Sequence, residues 1–352
     1  MSKYLFLMLT SLIWLISGQE SLSQGVSRIG LEGQSGWIIP HSPELIPISQ
    51  SHPYGIQWTA EYLPLNQSAW ENCNCFYYWG GSIGYTSFNN PAVLGDAYFL
   101  SLFFEPILWR RKDWQVSLKG AIGTTYLTRV YDVNNNPQNT FFSSPLSFLL
   151  AINPKINYQV SDNWSVNFGI NYNHISNGGQ RQPNRGMNFP AVSLGLSYWF
   201  IDNDFPEFEK PPFESRHALI LEGFGTFRDN PEGSGRLPSM GIAADLIYAI
   251  SRINNLGIGL ESTWDQSLHI AEPESGLLLA PFISHHLTFG KIDFSQRMVY
   301  YLKKPEKYQE DKLFYQRYTL SYQFNSGFRM GADMKVHGHV AENIGFSAGW
   351  RF

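Results

Sequence analysis

Charge is scarce in this chain. Asp, Glu, Lys and Arg make up 15% of its 352 residues, against about a quarter in an ordinary soluble domain. The formal net charge is -4 and the sequence pI is near 6.1. That excludes a general nucleic-acid binder, whose footprint is a basic patch or stripe. Long apolar runs are missing too. Past the N-terminal stretch no segment has the ~20 consecutive apolar residues a spanning helix needs, so any membrane crossing must use strands. Cysteine is limited to Cys73 and Cys75. Two cysteines one residue apart make a poor zinc site without further ligands, and a bridge between them closes a very tight ring. No essential chemistry is expected of them, with a disulfide as the lesser alternative.

Aromatic residues and glycine, by contrast, are abundant: aromatics are 16% and glycines number 31. Mean hydropathy is nevertheless only -0.22. Alternating polar and apolar residues give such an average. The N-terminus reads as a secretory leader, with Lys3 ahead of the apolar stretch Tyr4 to Ile16 and small residues at Ser21 and Ser23. Residues 1–23 are therefore expected to be a signal peptide of an exported protein.

The rest is a succession of period-two segments. From Trp114, the residues Trp114, Val116, Leu118 and Ile122 oppose Gln115, Ser117, Lys119 and Gly123. The chain ends the same way, with Ile344, Phe346, Ala348, Trp350 and Phe352 against Asn343, Gly345, Ser347, Gly349 and Arg351. Strands with one apolar and one polar, glycine-rich face suit a transmembrane barrel with a lipid-facing band and a polar interior. A soluble all-β protein is the plainer alternative. Short links, such as Arg110 to Asp113 and Asn325 to Gly327, alternate with longer ones at Tyr131 to Pro145, Arg228 to Pro238 and Lys303 to Asp311. The fold class expected is an all-β, antiparallel outer-membrane barrel of roughly 12–16 strands, closed as one large barrel or as two eight-stranded halves. The halves would be residues 24–201 and 216–352, joined by a connection over 202–215.

One segment stands apart: Asn173-His174-Ile175-Ser176-Asn177-Gly178-Gly179, continuing through Pro183-Asn184-Arg185-Gly186 to Asn188. On the preceding strand Trp164, Val166, Phe168, Ile170 and Tyr172 form the apolar face. Alternation puts His174 and Ser176 on that same face, at the edge where the strand gives way to a loop. Asn188 has the matching parity on the next strand, with Val192, Leu194 and Leu196. Unpaired polar groups on a lipid-facing wall cost about 1–3 kcal/mol each. Counted from a periplasmic start, the strand is the seventh and runs outward, so the edge faces the outer leaflet, which in a Gram-negative cell is lipopolysaccharide. A serine that histidine deprotonates is a nucleophile for ester carbonyls. The plain alternative is an interfacial His and Ser that anchor a loop through headgroups.

His174-x-Ser176-Asn177 followed by Pro183-Asn184-x-Gly186 resembles the signature of the outer-membrane lipid A 3-O-deacylase family, also described as acyloxyacyl hydrolase-like. The resemblance covers the motif, its flanking strands and, by strand count, the first half of the chain. It implies an eight-stranded barrel that cleaves the ester-linked 3-acyl chain of lipid A, located in the outer membrane. It implies His174 as general base, Ser176 as nucleophile, and the Gly179 amide with the Asn184 side chain as oxyanion hole. The third catalytic position, a glutamate in the family pattern, is Asn188 here. An Asn carbonyl can hold an imidazole tautomer, as in Cys-His-Asn proteases, but brings no charge. No metal or cofactor is implied. Expected partners are lipid A or lipopolysaccharide, outer-membrane lipids and the machinery that inserts barrels, and no nucleic acid. The competing class is a non-catalytic porin or structural barrel, which the length favours, since a family-sized barrel needs only half of it.

Other signals point elsewhere. Gly80-Gly81-Ser82-Ile83-Gly84 matches G-x-S-x-G but lies within an alternating ladder, not at a strand-to-helix turn. His285 and His286 are adjacent on a strand and face opposite ways. His337 takes the interior parity, so the second half is not expected to repeat the site.

Overall fold

The computed structural model describes the chain from Gly25 onward, apart from residues 179–180, 182, 201–203, 211, 234, 272–275 and 339. The expected leader lies outside the described residues. Sixteen strands follow. The first eight are β1 (Gly25–Gly36), β2 (Tyr54–Pro64), β3 (Tyr77–Asn90), β4 (Gly95–Arg111), β5 (Trp114–Leu127), β6 (Leu146–Gln159), β7 (Trp164–Ser176) and β8 (Met187–Trp199). The second eight are β9 (His217–Asp229), β10 (Arg236–Ala249), β11 (Asn254–Asp265), β12 (Leu277–Phe289), β13 (Ile292–Tyr300), β14 (Phe314–Gln323), β15 (Phe328–His337) and β16 (Val340–Arg351). β1 to β8 close on themselves, as do β9 to β16, so the chain forms two antiparallel barrels of eight strands rather than one wide one.

Alternation decides which residues face out. Leu102, Ile122, Leu194, Ile242 and Phe346 are among the many large apolar side chains exposed on the outer walls. Between them, Arg, Lys, Glu, Asp, Asn and Ser turn inward and are buried. In water such an apolar surface would be a large unfavourable area. In a bilayer it is the lipid-facing band of a transmembrane barrel. The alternation on β15 shifts at a bulge between Lys335 and Val336, and Val336 is buried together with His337. The tight links expected from sequence are turns. The Arg228 to Pro238 connection is shorter than expected, because β9 and β10 pair as far as Asp229 and Arg236.

Both interiors are filled. In the first barrel Arg28 pairs with Glu61 at 2.6 Å and Lys155 with Glu32 at 2.9 Å. A cavity of about 30 Å³ is left beside Gln34, Gln57, Lys119, Asn153 and Asn171, which is room for about one or two waters. In the second, Arg297 meets Glu222 at 2.7 Å, Arg317 meets Glu261 at 2.9 Å and Asp333 at 2.5 Å, and Arg329 meets Asp293 at 2.5 Å. Eight strands give a lumen just wide enough for side chains, and among the described residues the buried charges and amides occupy both.

Cys73 and Cys75 are joined by a disulfide, the lesser of the alternatives that their spacing left open. Asn74 between them adopts a left-handed backbone, φ 53°, which Asn tolerates. This sets the two Cα atoms 5.1 Å apart, within ordinary bridging range. The bridge follows the short helix α1 (Gln67–Glu71) in the link between β2 and β3.

Candidate active site

The loops at one end of the first barrel fold inward as an apolar plug. Ile38, Leu45 and Ile48 come from the loop after β1, Phe141 and Phe142 from the loop after β5, and Ile175, Met187 and Phe189 from β7 and β8. This plug fixes the register of the site. Ile175 pairs with Met187, both buried, and His174 pairs with Asn188 directly beside them. With Ile175, Met187 and Phe189 held inward, alternation forces His174, Ser176 and Asn188 onto the outer wall. Neighbouring outward residues are apolar: Phe148 pairs with Ser176 and Leu150 with His174.

His174 Nδ1 and Asn188 Oδ1 lie 2.7 Å apart. An amide oxygen only accepts, so Nδ1 carries the proton and Nε2 is left as the basic nitrogen. Ser176 stands two residues along the same face, its Oγ accepting the Gly178 N–H at 3.3 Å. His174 and Asn188 are thus joined directly. Ser176 is brought to the same face, with an amide of the following turn directed at its oxygen. Gly179, expected to supply an oxyanion N–H, lies outside the described residues. Asn184 is at the site: its Oδ1 accepts the Asn177 N–H at 3.2 Å.

Two residues of the motif carry roles that the sequence reading left blank. Asn177 is buried, and its amide donates to Ser143 Oγ at 3.0 Å and to the Arg181 carbonyl at 2.8 Å. It ties the turn after Ser176 to the loop after β5. Gly186 has φ +66°, and a Cβ there would sit 3.0 Å from His174 Cε1 and 3.2 Å from Ser176 Cβ. Its backbone lies against both side chains, which explains why the run ends in glycine. The spacing Pro-Asn-x-Gly was the available signal, but only the fold shows what the glycine touches.

The loop after β1 covers one flank. Trp37 N–H bonds to the Pro190 carbonyl at 3.1 Å and Ile39 N–H to the Asn188 carbonyl at 2.9 Å. His41 Nε2 lies 2.9 Å from the Arg185 carbonyl, and Glu44 pairs with the Arg185 guanidinium at 2.9 Å. The Glu44 carboxyl is held below its usual range, first by its own backbone N–H, then by the Ser42 hydroxyl and Arg185.

The signals set aside from sequence stay aside. Ser82 is buried in the lumen against Ser101, 2.6 Å away. His286 points inward between Asp245 at 3.1 Å and Asp293 at 2.9 Å, while His285 meets Asn254. His337 is buried against Tyr301, and His339 lies outside the described residues. Among the described residues no cluster of His, Cys, Asp and Glu has the arrangement of a metal site.

Two closed barrels with apolar walls and paired charges inside define a membrane-spanning β-barrel protein, here with a polar constellation on one outer wall. Residues 52–197 match the family model described as lipid A 3-O-deacylase (PagL). Residues 217–352 match the one described as acyloxyacyl hydrolase, C-terminal domain. The first barrel is thus similar to the lipid A 3-O-deacylase family, and the second to the acyloxyacyl hydrolase C-terminal domain family. The half that the motif could not reach therefore matches a family model of its own. No curated protein matches the chain. Solved structures similar to it include the outer membrane enzyme PagL, at 17% identity and a TM-score of 0.34, covering 47% of this chain and 97% of that one. Neisserial surface protein A is also similar, at 10% identity and a TM-score of 0.34, covering 49% of this chain and 96% of that one. So is Omp33 of Acinetobacter baumannii, at 9% identity and a TM-score of 0.20, covering 93% and 99%.

Proposed function

We propose that this protein is an outer-membrane serine hydrolase that removes the ester-linked 3-acyl chain of lipid A. The observation that carries the reading is the 2.7 Å contact between His174 Nδ1 and Asn188 Oδ1 on the lipid-facing wall, beside Ser176. It leaves Nε2 unprotonated on the strand that carries the serine.

In this reading Ser176 Oγ attacks the acyl carbonyl while His174 Nε2 takes its proton. The tetrahedral oxyanion is held by the turn after Ser176, through the Gly179 amide and the Asn184 side chain. Collapse breaks the ester bond, and His174 returns the proton to the departing sugar oxygen. Water, deprotonated by the same nitrogen, then releases the fatty acid and restores the serine. Asn188 holds the imidazole tautomer throughout but offers no charge to the imidazolium. A membrane lipid reaches the wall sideways, so a filled lumen is no obstacle.

The test is release of hydroxy fatty acid from purified lipid A by the detergent-solubilised full chain, with Ser176→Ala and His174→Ala beside it. Release by the wild type that both substitutions abolish supports the reading. Equal release by Ser176→Ala contradicts it.

A further inference from the structure

We infer that His41, on the loop after β1, is a positioning residue for the site, acting through a hydrogen bond to the backbone of Arg185. The inference rests on the hydrolase reading above and extends it to a residue outside the motif. A carbonyl oxygen only accepts, so at 2.9 Å His41 Nε2 donates to the Arg185 oxygen. The next residue is Gly186, whose backbone packs against His174 and Ser176. Asn184, on the other side, is bonded to the turn that follows the serine.

The Arg185–Gly186 segment is held from two directions. From the loop after β5, the Thr140 and Phe141 carbonyls accept the Arg185 and Gly186 N–H groups, each at 3.1 Å. From the loop after β1, His41 takes the Arg185 carbonyl and Glu44 its guanidinium. The His41 ring is itself seated against Phe141, centroids 6.4 Å apart, so one imidazole touches both clamping loops. The loop is tied down just before it by Ile39, which bonds to the backbone of Asn188. His41 therefore couples the backbone at Asn188, the partner of His174, to the Asn184–Gly186 run. Both edges of the site move together or not at all. A displacement of about 1 Å in such a run is enough to cost on the order of a hundredfold in rate.

Two substitutions separate the hydrogen bond from the packing. His41→Phe keeps a ring against Phe141 and deletes the donor. His41→Gln keeps a donor and loses the ring. Measured on lipid A in detergent micelles, His41→Phe should lower kcat at least tenfold with KM within about twofold. His41→Gln should return kcat to within about threefold of the wild type. Heat-modifiable gel mobility reports whether each barrel is folded. Hydrogen exchange gives a reading that needs no turnover: amides of residues 184–188 should exchange about tenfold faster in His41→Phe and near the wild-type rate in His41→Gln. A His41→Phe variant with wild-type kcat and unchanged exchange overturns the inference. So does a His41→Gln variant as impaired as His41→Phe. A wild-type chain that releases no fatty acid sinks the hydrolase reading instead, and the exchange result then decides the positioning role alone.

Discussion

The two barrels share strand number, topology and an apolar wall, yet they place their polar groups differently. The first lines much of its lumen with neutral side chains, such as Asn153, Asn157, Asn167, Asn171 and Asn173, and keeps few ion pairs there. It sets His174, Ser176 and Asn188 on its outer wall. The second packs its lumen with Arg297, Arg317 and Arg329 against Glu222, Glu261, Asp293 and Asp333. At its loop end the charged cluster of Arg228, Lys335 and Glu342 points inward, while Phe227, Met240, Trp264 and Phe314 are exposed outside. Inward ion pairs need no ligand to explain them, because closing a narrow barrel around mutually satisfied charges is itself a structure. Polar side chains on a lipid-facing wall have no such account, since solvation by lipid tails is poor. The contrast places the proposed chemistry on the wall of the first barrel and leaves the second with a charge-filled lumen.

The contrast breaks most sharply at the nucleophile. Ser176→Ala should reduce lipid A deacylation by about 10⁴-fold, with His174→Ala similar and the double variant no worse, as expected of groups that act as one unit. His286→Gln in the second lumen should leave the rate unchanged, and the same fatty-acid release assay reads all four. Next in size is the ion-pair core. Arg317→Met removes the guanidinium shared by Glu261 and Asp333 and should destabilise the second barrel by about 3–5 kcal/mol, read as a lower unfolding midpoint in urea with lipid vesicles. Gly186→Ala should follow, at roughly a hundredfold loss of rate with the barrel still folded, because φ +66° strains any side chain and a methyl group 3.0 Å from His174 and 3.2 Å from Ser176 would push both aside.

Much of this was legible in the sequence, for a physical reason. Alternation is a local property, so the wall and lumen faces of β5, β7 and β16 could be read from a few residues each. His174, Ser176 and Asn188 share an outward parity that follows from counting. Closure is not local: whether sixteen strands make one ring or two depends on which edges pair, and β1 with β8 is a pairing across the length of the first half. The disulfide stands only as the lesser alternative in the sequence because the left-handed turn at Asn74 is not written in the spacing of Cys73 and Cys75. Gly186, Asn177 and His41 were not assigned roles, since their contacts come from loops brought together only by the plug.

Smaller effects refine the account. Asn188→Glu should raise the rate by about tenfold, since a charged acceptor holds imidazolium more strongly than an amide does. A lower rate in a folded Asn188→Glu barrel would mean that the neutral partner is itself selected. Asn171→Ala removes the bond to Gln34 at 2.8 Å and should cost only about 1 kcal/mol with no change in rate, in contrast to Arg317.

The most direct measurement is mass spectrometry of lipid A from Gram-negative cells expressing the full chain or its Ser176→Ala variant, with insertion verified in both. Lipid A lighter by one hydroxyacyl group in wild-type cells alone is the predicted result. Unchanged lipid A beside a correctly inserted wild-type protein would contradict the account.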